Sequence, residues 1–396
     1  MIQVLEDVRV IDLTQALAGP YCTMLLGDMG ADVIKIEQPG RGDQSRGWGP
    51  PFVEGESAYF LSINRNKRSL SLNIKTAAGQ QILHQLIATA DIFVCNIPKD
   101  ASRQRAGVDA ATLLAINPRL VYCLISGYGN DGPYGERPGY DVIAQGEAGL
   151  MSVTGEPAGE PVRYPIPIAD ITTGMYATTG ILAALLHRER TGRGQILDMT
   201  LLESQSAWLT MLASSLMNGG KVPERLGNVH PTIVPYQVFK AQDKYFILAV
   251  GTERLWSAFC EALGLDHIQD DQRFATNPDR IRNRDELVAV LDAIFAEEPA
   301  AYWQEKLGQT GIPIGPINSI AETLAHPQHR ARNFLVELQH PVAGRVSSMG
   351  NPIRLSETPM SYRLAPPTLG QHTGEILAEL GYTENDLGPL SDQAVI

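Results

Sequence analysis

The chain has 396 residues, 44% of them hydrophobic and 19% charged. That is the balance of a globular protein long enough for more than one core. A net charge of −12 argues against a nucleic-acid partner or attraction to an anionic membrane surface, while leaving room for a local basic pocket that takes an anion. Cys22, Cys95, Cys123 and Cys260 are far apart and lack metal-ligand spacing. They read as reduced, buried small hydrophobes, and no metal site is expected. The start, MIQVLEDVRV, has neither a basic n-region nor an apolar h-region, and no apolar run reads as long enough to span a bilayer. No membrane partner and a cytoplasmic location are therefore expected.

Strands and helices alternate through the first half. Val8–Leu13 reads as a strand, followed by an amphipathic helix over 18–29; Asp32–Glu37 is a second strand. Ser69–Asn73 is a third, with a helix over 76–90 whose apolar positions are Ile82, Leu83, Leu86 and Ile87. Asp91–Cys95 and Leu120–Ile125 are further strands around a helix over 109–116. The alternation predicts a Rossmann-like α/β large domain with a parallel sheet covered on both faces, and ligands beyond the carboxyl ends of its strands.

Those strand ends carry glycines and cations. They include Thr14 to Pro20, Gln38 to Asp43, Asn96 to Arg105, and Ser126 to Pro133, with Arg65, Lys67 and Arg68 just before the third strand. Such loops suit a large phosphate-bearing ligand; ordinary solvated surface charge is the competing reading. Strand one is followed by QALAGP rather than a dinucleotide fingerprint, and no P-loop is present.

The stretch Pro161–Gly174 (PVRYPIPIADITTG) has an extended approach stiffened by Pro165 and Pro167. Asp170 follows, with no cation nearer in sequence than Arg163, and then an apolar helix over 171–186. On this stretch alone an N-cap is the commoner use of such an aspartate, and an active-site carboxylate the rarer one. A helix is expected over 201–217, then a turn-rich loop with His230, a possible contact for a second carboxylate or simply a residue bonding its own loop. The expected division is a large domain over 1–222, a smaller α/β domain over 223–330, and a return to the large domain over 331–396, where Leu369–Thr373 (LGQHT) precedes and caps a helix over 374–380.

VIDLTQALAGPYCTMLLGDMGADVIKIEQPGRGD, NRNKRSLSLNIKT, SGYGNDGPYGERPGYDVIAQ, PVRYPIPIADITTG and ALLHRERTGRGQILDMTLLES resemble the class III CoA-transferases, in the family's order. GNVHPTIVPYQVF, GIPIGPIN and LGQHT extend the likeness over nearly the whole chain. WGPPF at Trp48 and GNVHPTIVPY at His230 bring it nearest to dicarboxylate members such as succinate–glutarate CoA-transferase. The resemblance implies that CoA moves from an acyl-CoA such as succinyl-CoA to a free acid, by way of an aspartyl anhydride and an aspartyl-CoA on Asp170. CoA is then a substrate, with no tightly bound cofactor. Gln15, Ala18, Leu72, Asn73, Lys75, Asn96, Pro98, Arg105 and Tyr140 are the implied CoA contacts, with His230 and Tyr140 toward the acid. Gln38 stands where some members have an arginine, and Leu17 where some have a glutamine. The family is built as an interlocked homodimer. Related racemases of the same fold carry a histidine at the place of Tyr140, and a phenol of pKa about 10 is a poor proton shuttle beside an imidazole of about 6.5. Racemisation and CoA binding without catalysis remain the alternatives.

Overall fold

In the computed structural model, which describes residues 2–135 and 137–396, the chain divides into two compact units. Of the described residues, one unit comprises 2–135, 137–151, 163–220 and 328–396; the other comprises 152–162 and 221–327. The expected bounds placed 152–162 with the large domain. The structure groups it with the smaller unit, where Gly155 accepts from Gly227 through its carbonyl and Arg225 reaches the carbonyls of Glu156 and Gly159.

The larger unit is a mixed α/β fold around a six-stranded parallel sheet. Its strands are β1 (Arg9–Leu13), β2 (Asp32–Glu37), β3 (Lys67–Ser71), β4 (Ile92–Cys95), β5 (Val121–Ser126) and β6 (Ile196–Thr200), in the order β3-β2-β1-β4-β5-β6. Strand order reverses between β1 and β4, so the two loops leaving them diverge and open a crevice at their carboxyl ends. Both faces are covered, which is why β4 and β5 are buried throughout. On one face Val10, Val33, Val94 and Cys123 meet Cys22 and Leu26 of helix α1 (Ala18–Asp28) and Ala177, Ile181 and Ala184 of helix α2 (Ile168–Thr191). On the other, Ile11, Ile34, Phe93 and Tyr122 meet the predicted Ile82, Leu83, Leu86 and Ile87, together with Ile376, Leu377 and Val395 from the chain's end. All four cysteines are free and buried.

Helix α2 is longer than the sequence pattern indicates. By length and composition it could cross a membrane, with a mean hydropathy of 1.2 in its most apolar window, although half of that window is buried inside the protein. Asp170 near its start and the polar run His187–Thr191 at its end hide this length from a search for apolar runs. Gly174 lets α2 approach α1, since a Cβ there would stand 2.7 Å from the Ala18 carbonyl oxygen. The helix expected over 201–217 is broken: Leu201–Ser206 and Thr210–Gly219 are separated by a short 3-10 turn.

The third strand begins two residues earlier than expected because Lys67 and Arg68 are part of it. These cations and Arg65 neither face a ligand nor lie solvated on the surface. Lys67 pairs with Asp12 at 3.0 Å, Arg65 with Asp28 at 2.6 Å, and Arg68 with Asp32 at 2.6 Å and with Glu375 and Glu379 of the helix Thr373–Glu379. LGQHT does not cap its helix either. His372 Nδ1 and Thr373 Oγ1 accept from the backbone N–H groups of Ser69 and Ser71, so the segment covers the exposed edge of β3.

The smaller unit holds a three-stranded antiparallel sheet, β7 (Tyr236–Lys240), β8 (Tyr245–Ala249) and β9 (Ile314–Pro316), in the order β9-β8-β7. Phe239, Phe246, Phe259, Phe295 and Trp303 form its core with surrounding helices.

Lys67 and Asp12 are wholly buried, so removing one partner strands a charge. Lys67→Met is expected to cost about 3–5 kcal/mol, read as a lower denaturation midpoint at unchanged slope. A loss under about 1 kcal/mol, the range of a surface pair, would contradict this account of the sheet's interior.

Candidate active site

Asp170 is the third residue of α2, not its cap. The cap position falls to Pro167, which has no side-chain acceptor. The missing acceptor comes from Asp141, the first residue of helix α3 (residues 141–147, Asp141–Glu147), whose Oδ1 accepts from Ala169 N at 2.7 Å and Asp170 N at 3.3 Å. Its Oδ2 accepts from Gln145 Nε2 at 2.6 Å, and Gln145 Oε1 in turn accepts from Tyr164 N at 2.8 Å. One buried carboxamide and one carboxylate thus tie the proline-stiffened approach to the helix it feeds.

With capping done by Asp141, the Asp170 carboxylate is left without a hydrogen-bond partner among the described residues. Burial, and then the neighbouring Asp141 charge, push its pKa up to about 7. The helix N-terminus pulls the other way, but such a dipole contributes about 0.3–1 kcal/mol, less than one pKa unit. Burial wins because protein encloses the group on all sides except one part-exposed face. Tyr59 stands close enough that burial, Asp170 and Asp141 together raise its pKa above the ordinary value, so its phenol remains an O–H donor. Its ring meets Trp48 edge to face at 4.8 Å.

That open face looks into a cavity of about 690 Å³ at the carboxyl ends of β1, β4 and β5, where the reversal of strand order calls for one. Gln15, Ala18, Asn96, Pro98 and Tyr140 line it with Asp170. The loops after β1 and β4 are clasped together: Gln15 N donates to Asn96 Oδ1 at 3.1 Å and Asn96 Nδ2 donates to the Gln15 carbonyl at 2.8 Å. Ala16 sits at φ 69°, a left-handed conformation uncommon outside glycine. It is held there by its N–H on Asp43 Oδ1, while Lys35 spans Asp43 at 2.8 Å and the Thr14 carbonyl at 2.9 Å. Arg103 is buried and grips the carbonyls of Ile97 and Pro98, so it shapes this wall rather than facing a ligand.

Leu72, Asn73, Lys75, Arg105 and Gln38 do not line the cavity. Leu72 is buried in the core, and Asn73 is held by the Val395 carbonyl through its N–H and by the Ala394 carbonyl through its side chain. Gln80 Nε2 donates to the carbonyls of both Ile74 and Arg105, the latter 25 residues away from Gln80 in sequence, which ties the segment holding the exposed Lys75 to Arg105. His230 belongs to the smaller unit. It stacks on Tyr236 at 4.9 Å and accepts from Thr232 N, the loop-bonding role. Burial and Arg284 lower its pKa, which disfavours the cationic imidazole that would meet a carboxylate.

Sequence reasoning did not find Asp141, Tyr59 or Gln44 on this wall. Asp141 lies 28 residues from the N–H it caps, and no local spacing rule reaches that far.

The model of the family described as CoA-transferase family III matches residues 5–373. A succinyl-CoA:glutarate CoA-transferase of Mus musculus is 45% identical, covering 99% of this chain and 90% of its own length. A succinate–glutarate CoA-transferase of Agrobacterium fabrum is 41% identical, covering 97% and 98%. A crystal structure of a CAIB/BAIF family protein from Brucella suis superposes with a TM-score of 0.86 at 39% identity, covering 96% of this chain and all of that one.

Because the Asp170 pKa is raised on folding, the folded state binds more protons than the unfolded state between about pH 4 and 7. The group's penalty is absent below that window and complete above it, so native stability falls as pH rises through it. Asp170→Asn, which removes the ionising group and breaks no hydrogen bond, is expected to be more stable than the native protein by roughly 2 kcal/mol at pH 8. The gap should narrow toward pH 5 in denaturant titrations. A variant less stable at pH 8 would show that the carboxylate is well solvated there.

Proposed function

Since the chain belongs to CoA-transferase family III, an enzyme family that moves coenzyme A between acids, we propose that it transfers CoA from an acyl-CoA to a dicarboxylate through covalent intermediates on Asp170. The observation that carries this is the Asp170 carboxylate itself, unbonded, open to the cavity and with its pKa raised to about 7. A carboxylate stripped of donors is a better nucleophile than a solvated one, and near neutral pH a usable fraction is ionised.

An Asp170 oxygen attacks the thioester carbonyl of the donor; its C–S bond breaks and CoA thiolate leaves a mixed anhydride. The thiolate attacks the aspartyl carbonyl, the anhydride C–O bond breaks, and the donor acid departs as a carboxylate from aspartyl-CoA. The acceptor carboxylate attacks that thioester, again expelling thiolate and forming a second anhydride. Thiolate then attacks the acceptor's acyl carbon and returns Asp170 as a carboxylate. Every step exchanges one anion for another, so no proton has to be supplied. The hydrolysis that would waste the thioester is opposed by a wall of Trp48, Tyr59, Pro165 and Pro167. Gln15, Ala18, Asn96, Pro98 and Tyr140 would meet the thiol end of CoA, while Lys75 and Arg105, drawn together by Gln80, would meet its phosphates. Proton movement at an α-carbon is disfavoured, since no histidine lines the cavity among the described residues.

We also infer that two copies associate, as the interlocked dimer of the family implies. Support comes from apolar side chains of the larger unit that stay exposed: Met175, Leu186, Trp208, Met211 and Met217, the last 74% exposed. Sedimentation at nanomolar concentration is expected to find no native monomer.

The nucleophile is tested with succinyl-CoA and labelled glutarate. Asp170→Asn should keep its fold and lose exchange by about three or more orders of magnitude, and mass should appear on residue 170 of the native enzyme when thioester is present. Normal exchange by the variant would refute the assignment. With the native enzyme, kcat/KM for the donor should rise with pH through an apparent pKa near 7 and level off above it.

A further inference from the structure

A dicarboxylic acid brings two charges to this cavity, and only one of them is consumed. The reacting carboxylate becomes part of an anhydride; the distal one stays anionic throughout. It enters a space whose wall already carries two carboxylates, Asp141 and Asp170. Repulsion between like charges at close range is costly in a partly desolvated cavity, so a selective site needs a cation set apart from Asp170.

Among the described residues that line the cavity, Arg163 is the only cationic side chain. Two arginines close in sequence to lining residues, Arg103 and Arg46, are occupied. Arg103 is bonded to Ile97, Pro98, Asp100 and Asn130, and Arg46 is paired with Glu37. No ion pair or hydrogen bond to the Arg163 guanidinium is found among the described residues, and the side chain is exposed. Its backbone is nevertheless well placed. The next residue, Tyr164, is held by Gln145, its N–H donating to Oε1 and its carbonyl accepting from Nε2 at 3.4 Å. Gln145 is fully buried and is itself held by Asp141. Pro165 and Pro167 stiffen the three residues that lead from Tyr164 into α2. The carboxylate that caps the Asp170 helix therefore also anchors, through one amide, the segment that presents Arg163 to the same cavity.

We propose that Arg163 is a specificity-determining residue that receives the distal carboxylate of the dicarboxylic acid while the proximal one reacts at Asp170. This rests on the transferase reading above. The planar guanidinium matches a carboxylate with two parallel N–H donors, and a free fork at the cavity wall has no competing partner to lose. The same contact serves both half-reactions, because the succinyl group of the donor and the acceptor acid occupy the same place in turn. A monocarboxylate that lacks the distal group, such as butyrate beside glutarate, gains nothing from it.

The test compares native enzyme with Arg163→Gln and Arg163→Lys, using glutarate and butyrate as acceptors, succinyl-CoA as donor, and free CoA binding measured by calorimetry. A charge-assisted pair of about 1.5–3 kcal/mol corresponds to roughly 10–150-fold. Arg163→Gln is expected to lower the glutarate-over-butyrate ratio of kcat/KM by that order, with the loss in KM, while free CoA binds as before; Arg163→Lys should restore part of the ratio. An unchanged ratio overturns the proposal. So does a parallel loss of free CoA binding, which would make Arg163 a phosphate contact. Native enzyme that exchanges none of these acids would overturn the transferase reading itself, an outcome distinct from either of these.

Discussion

The carboxylate of Asp141 accepts two N–H groups at the start of the α2 helix, and most of the site's chemistry follows from that bond. A helix beginning at a proline leaves its first donors without a local acceptor. If Asp170 turned back to satisfy them, its oxygens would be bonded, its pKa low, and its nucleophilicity reduced. By taking those donors, Asp141 frees Asp170. By standing nearby as a second negative charge it also makes ionisation of Asp170 harder, and burial adds to this. The same residue bonds Gln145, and Gln145 holds the backbone at Tyr164. The helix start, Asp170 and the segment leading to it are thus tied together by a short run of part-buried hydrogen bonds.

The opposite wall depends on buried charge. Lys35 and Asp43, both fully buried, hold Thr14 and Ala16 in place, and Lys67 and Asp12 join the base of that loop to β3. Burial pushes the Asp12 carboxyl up, yet Lys67, Lys35 and the Thr14 and Thr23 hydroxyls outweigh it and hold it below the usual carboxylate range. A left-handed alanine persists only where its surroundings over-determine it, and here a carboxylate and an ammonium both do so. Such pairing holds the loop after β1 in one conformation at the cavity wall.

Two kinds of arginine and lysine are present, and only the folded chain separates them. Arg65, Lys67, Arg68 and Arg103 are internal struts. Lys75, Arg105 and Arg163 have side chains in solvent or at the cavity wall. In sequence nothing adjacent to these residues separates the two kinds. The distinction is made by acidic partners such as Asp12, Asp28, Asp32 and Glu379, which lie 36 to 311 residues away.

The alternation of short apolar strands with helices determined the parallel sheet, because strands buried on both faces must be apolar throughout and their crossovers must be helical. It also located the end of the sheet where the cavity lies, since β1 and β4 can be recognised from their own residues, while PVRYPIPIADITTG by itself left Asp170 looking more like a helix cap than a site residue. The tertiary structure alone decided that Asp170 is the third residue of its helix and not the cap, that Asp141 is the cap, that His230 bonds its own loop, and that LGQHT covers a sheet edge. Each of these depends on which distant group supplies a hydrogen-bond partner. A local pattern records what a residue needs, whereas only the folded chain records which residue meets that need.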